Sequence, residues 1–153
     1  GRPLINAVGR PRVVINGTCL DFLAESFMAG DPLAGGGFVI LNGIEFDGRG
    51  RMIPQAVPYP GSNLFSLASG GAIYIRDPRN QVVERQLNGG GFSPLDDKDW
   101  RLIRGYLEEN ERLFGIRVQE LLMVDGQVRS PQEVYRKVSA VKLSVLAGSE
   151  KKK

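Results

Sequence analysis

The chain has no histidine and a single cysteine, Cys19. Ser-His-Asp and Cys-His catalysis are therefore excluded within it, and the commonest transition-metal ligand is missing. One thiol also rules out an intrachain disulfide, a cysteine zinc site or an iron–sulfur cluster held by this chain alone. Carboxylates, Lys, Tyr and Ser remain for chemistry. Asp21 and Glu25 stand four apart and could act as a carboxylate pair, although a solvated or turn-bonding role is the simpler reading. Cys19 sits beside Leu20 and Phe22 with no basic activator in sequence, the setting of a buried, inert thiol. Arg49, Arg51, Arg76 and Arg79 are a basic set expected on loops along one edge of the fold. Such a set suits a partner or anion contact.

Two glycine triplets invite a phosphate-cradle reading, Gly35-Gly36-Gly37 and Gly89-Gly90-Gly91. The second precedes a helix N-terminus. That helix opens with Asp96, Asp97 and Asp99, whose charge repels phosphate. No Lys-Ser or Lys-Thr follows in the P-loop manner. Corner or linker glycines are the better reading.

The elements that must position these residues repeat. One cycle runs Val13-Val14-Ile15-Asn16-Gly17, Asp21-Phe22-Leu23-Ala24, Phe27-Met28-Ala29-Gly30, then Gly36-Gly37-Phe38-Val39-Ile40-Leu41. A second runs Gly61-Ser62-Asn63-Leu64-Phe65-Ser66-Leu67-Ala68-Ser69, then Gly70-Gly71-Ala72-Ile73-Tyr74-Ile75-Arg76. In each, a polar-apolar corner leads to a small-residue turn, and a Gly-Gly pair opens an apolar strand. The cycle predicts a β-solenoid coil with Gly17, Gly30, Gly36, Gly37, Gly70 and Gly71 at its corners, and coils must stack to bury their apolar sides. Ile40 and Ile73 are expected at equivalent positions of adjacent coils. Residues 31–35 and 43–60 are insertions. The second contains Asp47-Gly48-Arg49-Gly50 between two short apolar runs, which predicts a hairpin. A last short strand is expected between Val82-Val83 and Gln86-Leu87.

The pattern changes at Phe92. Ser93-Pro94-Leu95-Asp96 predicts an N-cap at Ser93. Trp100, Ile103, Leu107 and Phe114 then line one face of a long amphipathic helix. Gly115 is placed to end it, and Val118 to Leu122 predicts a further turn. Asp125-Gly126 reads as a turn. Ser130-Pro131-Gln132-Glu133 is a capping box that starts a shorter helix carrying Val134, Tyr135 and Val138. The domain plan is solenoid coils over 1–91, a helical segment over 92–147 packing on them, and a disordered basic tail over 148–153.

Composition narrows the class. Glycine numbers 20 of 153, where average usage of ~7% gives about 11, and the excess clusters between apolar runs as corners do. Net charge is +3, and three of the 20 basic residues are the terminal Lys151-Lys152-Lys153. The rest is near balance, so the charge does not indicate nucleic acid. No apolar run approaches the ~18 residues of a membrane span, and no secretory signal is visible. A cytoplasmic protein with no membrane partner is expected.

Gly17-Thr18-Cys19-Leu20-Asp21-Phe22-Leu23-Ala24-Glu25, Met28-Ala29-Gly30, Gly36-Gly37-Phe38-Val39-Ile40-Leu41 and Ser69-Gly70-Gly71-Ala72-Ile73-Tyr74-Ile75-Arg76 together resemble the GXGXG domain of the glutamate synthase large subunit. That domain is related to one of the subunits of formylmethanofuran dehydrogenase. The tail from Trp100 to Leu122 is similar to the helical segment that follows it. The resemblance implies a short right-handed β-helix followed by α-helices, with no catalytic residue and no cofactor of its own. It implies a scaffold for glutaminase and FMN-dependent synthase domains or subunits, with FMN and iron–sulfur groups on those partners. Other readings are a subunit of a formylmethanofuran-dehydrogenase-like oxidoreductase, a small carboxylate-dependent enzyme, and a binding module using Arg49, Arg51, Arg76 and Arg79. The uncovered strand edge at Pro11-Arg12-Val13-Val14-Ile15 is the expected self-association surface.

Overall fold

The computed structural model describes residues 11–20, 23–25, 30–66 and 70–140. Asp21 and the terminal tail lie outside them, and of Glu25 only the backbone is described. In chain order the elements are β1 (Arg12–Ile15), β2 (Ala24–Glu25), a 3-10 turn (Pro32–Ala34), β3 (Phe38–Leu41), β4 (Ile44–Phe46), β5 (Met52–Pro54), β6 (Phe65–Ser66) and β7 (Ala72–Arg76). A second 3-10 turn (Glu84–Gln86), β8 (Gly90–Ser93), α1 (Asp97–Phe114), α2 (Val118–Leu121), β9 (Met123–Val124), β10 (Gln127–Val128), α3 (Pro131–Val134) and β11 (Tyr135–Ala140) follow.

Five strands form the main sheet, in the order β1-β3-β7-β11-β8. The first three run parallel, with Val13, Val39 and Ile73 side by side and Val14, Ile40 and Tyr74 in the next row. Successive strand residues point to opposite faces, and both faces are covered. On one, Val39, Leu41, Ile73 and Ile75 pack with Leu23, Tyr59, Leu64 and Val138. On the other, Phe38, Ile40, Ala72 and Tyr74 meet Ile103 and Leu107 of α1. Two-sided burial is why β3 and β7 are unbroken apolar runs rather than alternating ones. β2 and β6 lie in the crossovers between the parallel strands and pair with each other.

The β-helix expectation is overturned. The described residues form a mixed α/β domain whose main sheet is neither closed nor a solenoid. β11 inserts antiparallel between β7 and β8, and a helix of 18 residues packs across one face. The glycine-led apolar runs are true strand signals, but any parallel sheet buried on both faces produces them. Ile40 and Ile73 are not equivalent. Ile40 pairs with Tyr74, and Val39 with Ile73, so the two isoleucines face opposite cores. Both are fully buried.

Local capping also differs from expectation. Asp96, not Ser93, caps α1: its side chain accepts the Asp99 N–H at 2.8 Å, while Asp99 accepts the Asp96 N–H at 3.2 Å. Gly115 ends the helix in the left-handed region, at φ 72°. Phe114, expected on the buried stripe, is 67% exposed. Asn110 takes the next inward position and is buried. It exchanges two 2.9 Å hydrogen bonds with Asn16, which also accepts from Asn42 at 2.9 Å. The Tyr135 hydroxyl donates to Asn42 at 2.7 Å. This polar ladder ties β1, β3, β11 and α1 together, and burial makes each bond costly to lose.

Candidate functional site

Buried charge occurs at Asp77, which Arg136 at 3.0 Å and the N–H groups of Gln81 and Val82 complete, and at two further sites. The first lies where α1 begins. Asp99 is 1% exposed and accepts from the Tyr74 hydroxyl at 2.6 Å and the Lys137 ammonium at 2.8 Å. Burial pushes its carboxyl up, but the bonds from Lys137, Tyr74 and the Asp96 N–H outweigh this and hold it below the usual carboxylate range. The Tyr74 hydroxyl is pushed up, by burial first and by Asp99 second. Every charge here has a partner, and the cluster is a structural knot.

The second site is a cleft of about 1020 Å³. One wall is the β4–β5 hairpin. Asp47 shapes its turn by accepting the N–H groups of Arg49 and Arg51, each at 2.9 Å. Those bonds hold the Asp47 carboxyl below its usual range. The opposite wall is α2 with the β9–β10 hairpin, whose two-residue loop, Asp125-Gly126, has positive φ at both positions, as the right-handed strand twist requires.

Arg76, at the end of β7, stands between the walls. It is 5% exposed. Its Nε donates to the Leu121 carbonyl at 2.7 Å and its Nη2 to the Met123 carbonyl at 3.0 Å. Among the described residues no carboxylate lies in ion-pair reach of it. Burial lowers its pKa, but an arginine stays charged regardless. The side-on edge of the guanidinium is thus engaged by the protein. The end-on edge, with Nη1, has no hydrogen-bond partner among the described residues, and Arg76 belongs to the cleft lining. Arg51, Arg79 and Arg117 add three more guanidinium groups to that lining, against the carboxylates of Glu120 and Asp125. The lining therefore carries an excess of positive charge. Comparison with protein-family models, curated proteins and solved structures finds no match.

Of the four arginines singled out in sequence, the cleft gathers Arg51, Arg76 and Arg79. Arg49 is exposed on the hairpin turn and does not line it. Arg76 is a strand residue, not a loop residue. Arg79 pairs with Asp125 at 2.8 Å, and Arg51 with Asp47 at 3.1 Å. Sequence reasoning missed Arg117, whose only signal is its position just before the α2 turn. The glycines fall into two groups. Gly30 and Gly71 take positive φ, and the Gly71 N–H donates to the Gly30 carbonyl at 2.9 Å. Gly17, Gly36, Gly37 and Gly70 keep ordinary backbone. Gly90 and Gly91, read as corner or linker, are strand residues of β8. Cys19 is buried. The Asp21–Glu25 pair lies outside the described side chains. Among the described residues no cluster of three or more His, Cys, Asp or Glu could hold a metal, and no helix is long and apolar enough to cross a membrane.

Proposed function

We propose that the chain is a non-catalytic binding domain that holds an anionic group in the arginine-lined cleft. The observation that carries this is Arg76: a buried cation with no carboxylate partner among the described residues, one edge fixed by two carbonyls, in the lining of a cavity. A buried cation without a counter-ion is expensive, and an incoming anion relieves that cost. The sequence likeness supports the accessory role and suggests the partners: a glutaminase or FMN-binding synthase unit, itself carrying FMN and iron–sulfur groups. A cytoplasmic setting goes with this reading. Self-association is a further contact of the same proposal, supported by the position of β1 as an outer strand of the main sheet. Val14 packs toward the helix-side core, so a charge placed to block such pairing belongs elsewhere on β1.

The test is thermal unfolding with glutarate or inorganic phosphate. An anion bound only by the folded chain stabilises it by about 1.4 kcal/mol at a concentration ten times Kd. Phosphate also stabilises proteins by exclusion from their surfaces, so the reading is carried by the difference between the wild-type chain and Arg76→Met. Equal shifts in both would overturn it.

A further inference from the structure

We infer that the occupant of the cleft is an extended segment of a partner protein in which an apolar residue is flanked by Asp or Glu; this rests on the anion-binding reading above. Five observations point there. The cleft, at about 1020 Å³, stands at the upper end of small-molecule sites and far exceeds one anion. Its lining is of two characters. Each wall mixes them: the β4–β5 hairpin contributes Phe46 and Met52 with Arg51, the α2–β9 wall contributes Met123 with Arg117, and Arg76 and Arg79 add further positive charge. A ligand that fills it must therefore offer apolar surface beside acid.

Phe46 is 55% exposed and Met123 38%. Large apolar side chains grouped at a polar-rimmed cleft mark a contact surface rather than scattered exposure. The rim arginines already practise the recognition: Arg79 holds Asp125 at 2.8 Å and Arg117 approaches Glu120 at 3.9 Å, all four side chains well exposed. Exposed pairs of this kind are weak, so carboxylates of a partner can replace them without structural cost. Finally, β5 lines the cleft and, among the described residues, pairs on one side only. Unpaired strand edges accept an extended chain, with main-chain bonds giving affinity and alternate side chains giving selectivity.

Fluorescence anisotropy with a labelled peptide of alternating Glu and Phe tests this. Replacing every Glu by Gln, or every Phe by Ser, should each weaken binding by about tenfold or more. Arg76→Met and Phe46→Ser should each lose about as much. Arg76→Met also removes bonds to Leu121 and Met123, so the exposed double change Arg79→Gln with Arg117→Gln is measured beside it and should weaken binding several-fold. Arg104→Gln, on the outer surface of α1, should leave binding unchanged. Binding that ignores Phe46→Ser and the Phe-to-Ser peptide, while glutarate still stabilises the chain through Arg76, would overturn the peptide assignment and leave the anion cleft standing. If neither the peptide nor glutarate responds to Arg76→Met or to the rim double change, both fall.

Discussion

Asp99 and Arg76 are both charged, both nearly inaccessible, and treated in opposite ways. Asp99 is saturated: an ammonium, a hydroxyl and a backbone N–H converge on it from three elements. Among the described residues, Arg76 receives two carbonyls and no charge. A buried ion completed by its own fold locks elements together. A buried ion left incomplete at the wall of a cavity is poised for something from outside. The contrast separates structure from function within one small domain more clearly than residue type does.

The severest test of this contrast lies on the Asp99 side. Lys137→Met strands a buried carboxylate, and urea unfolding should show a loss of about 3–5 kcal/mol. A loss below ~1 kcal/mol would mean that water reaches Asp99. Acid acts on the same group. The folded carboxyl lies below its unfolded value, so its stabilisation is complete at neutral pH and is lost as pH falls through the depressed folded value. Stability of the wild-type chain should thus decline below about pH 4, and Asp99→Asn, less stable at neutral pH, should show a shallower decline. Parallel profiles would remove Asp99 from the account.

Arg76→Met should cost less than Lys137→Met, about 1–3 kcal/mol for the two carbonyls left without donors. Part of that is offset, because an uncompensated buried charge disappears. If it cost more than Lys137→Met in the same urea titration, Arg76 would be a structural ion like Asp99 and the contrast would collapse. Smallest is Arg79→Gln, which removes an exposed pair and should change stability by less than about 1 kcal/mol. Its effect belongs in binding.

Parts of this architecture are open to sequence reading, for identifiable reasons. Val39-Ile40-Leu41 and Ile73-Tyr74-Ile75 announce themselves because they are buried on both sides. The Asp47-Gly48-Arg49-Gly50 turn and the Gly115 stop are fixed by local backbone chemistry. β11 is not legible. Ser130 and Glu133 do form a capping box, but α3 ends at Val134, and the next residues are claimed by two strands. Tyr135 and Lys137 then face α1, while Arg136 and Val138 face the other side, an alternation that short-range propensity does not reveal. The solenoid reading fails on the same segment, since β11 ends the parallel stacking. Three arginines of the cleft can be named from sequence, but not the cleft, whose walls come from residues near 46–58, 76–81 and 115–126. Arg117 carries no periodic or motif signal.

The place of β11 has a consequence for how the protein is made. The last of the described strands fills the gap between β7 and β8, pairing Val138 with Ile73 on one side and Phe92 on the other. A ribosome must release Ala140 before the sheet can be completed. Until then β7 and β8 each present an open, apolar-flanked border to whatever surrounds the nascent chain. Such late, long-range closure slows folding and lengthens exposure to aggregation. A chain stalled or clipped before Tyr135 is therefore destined less for partial function than for chaperone capture.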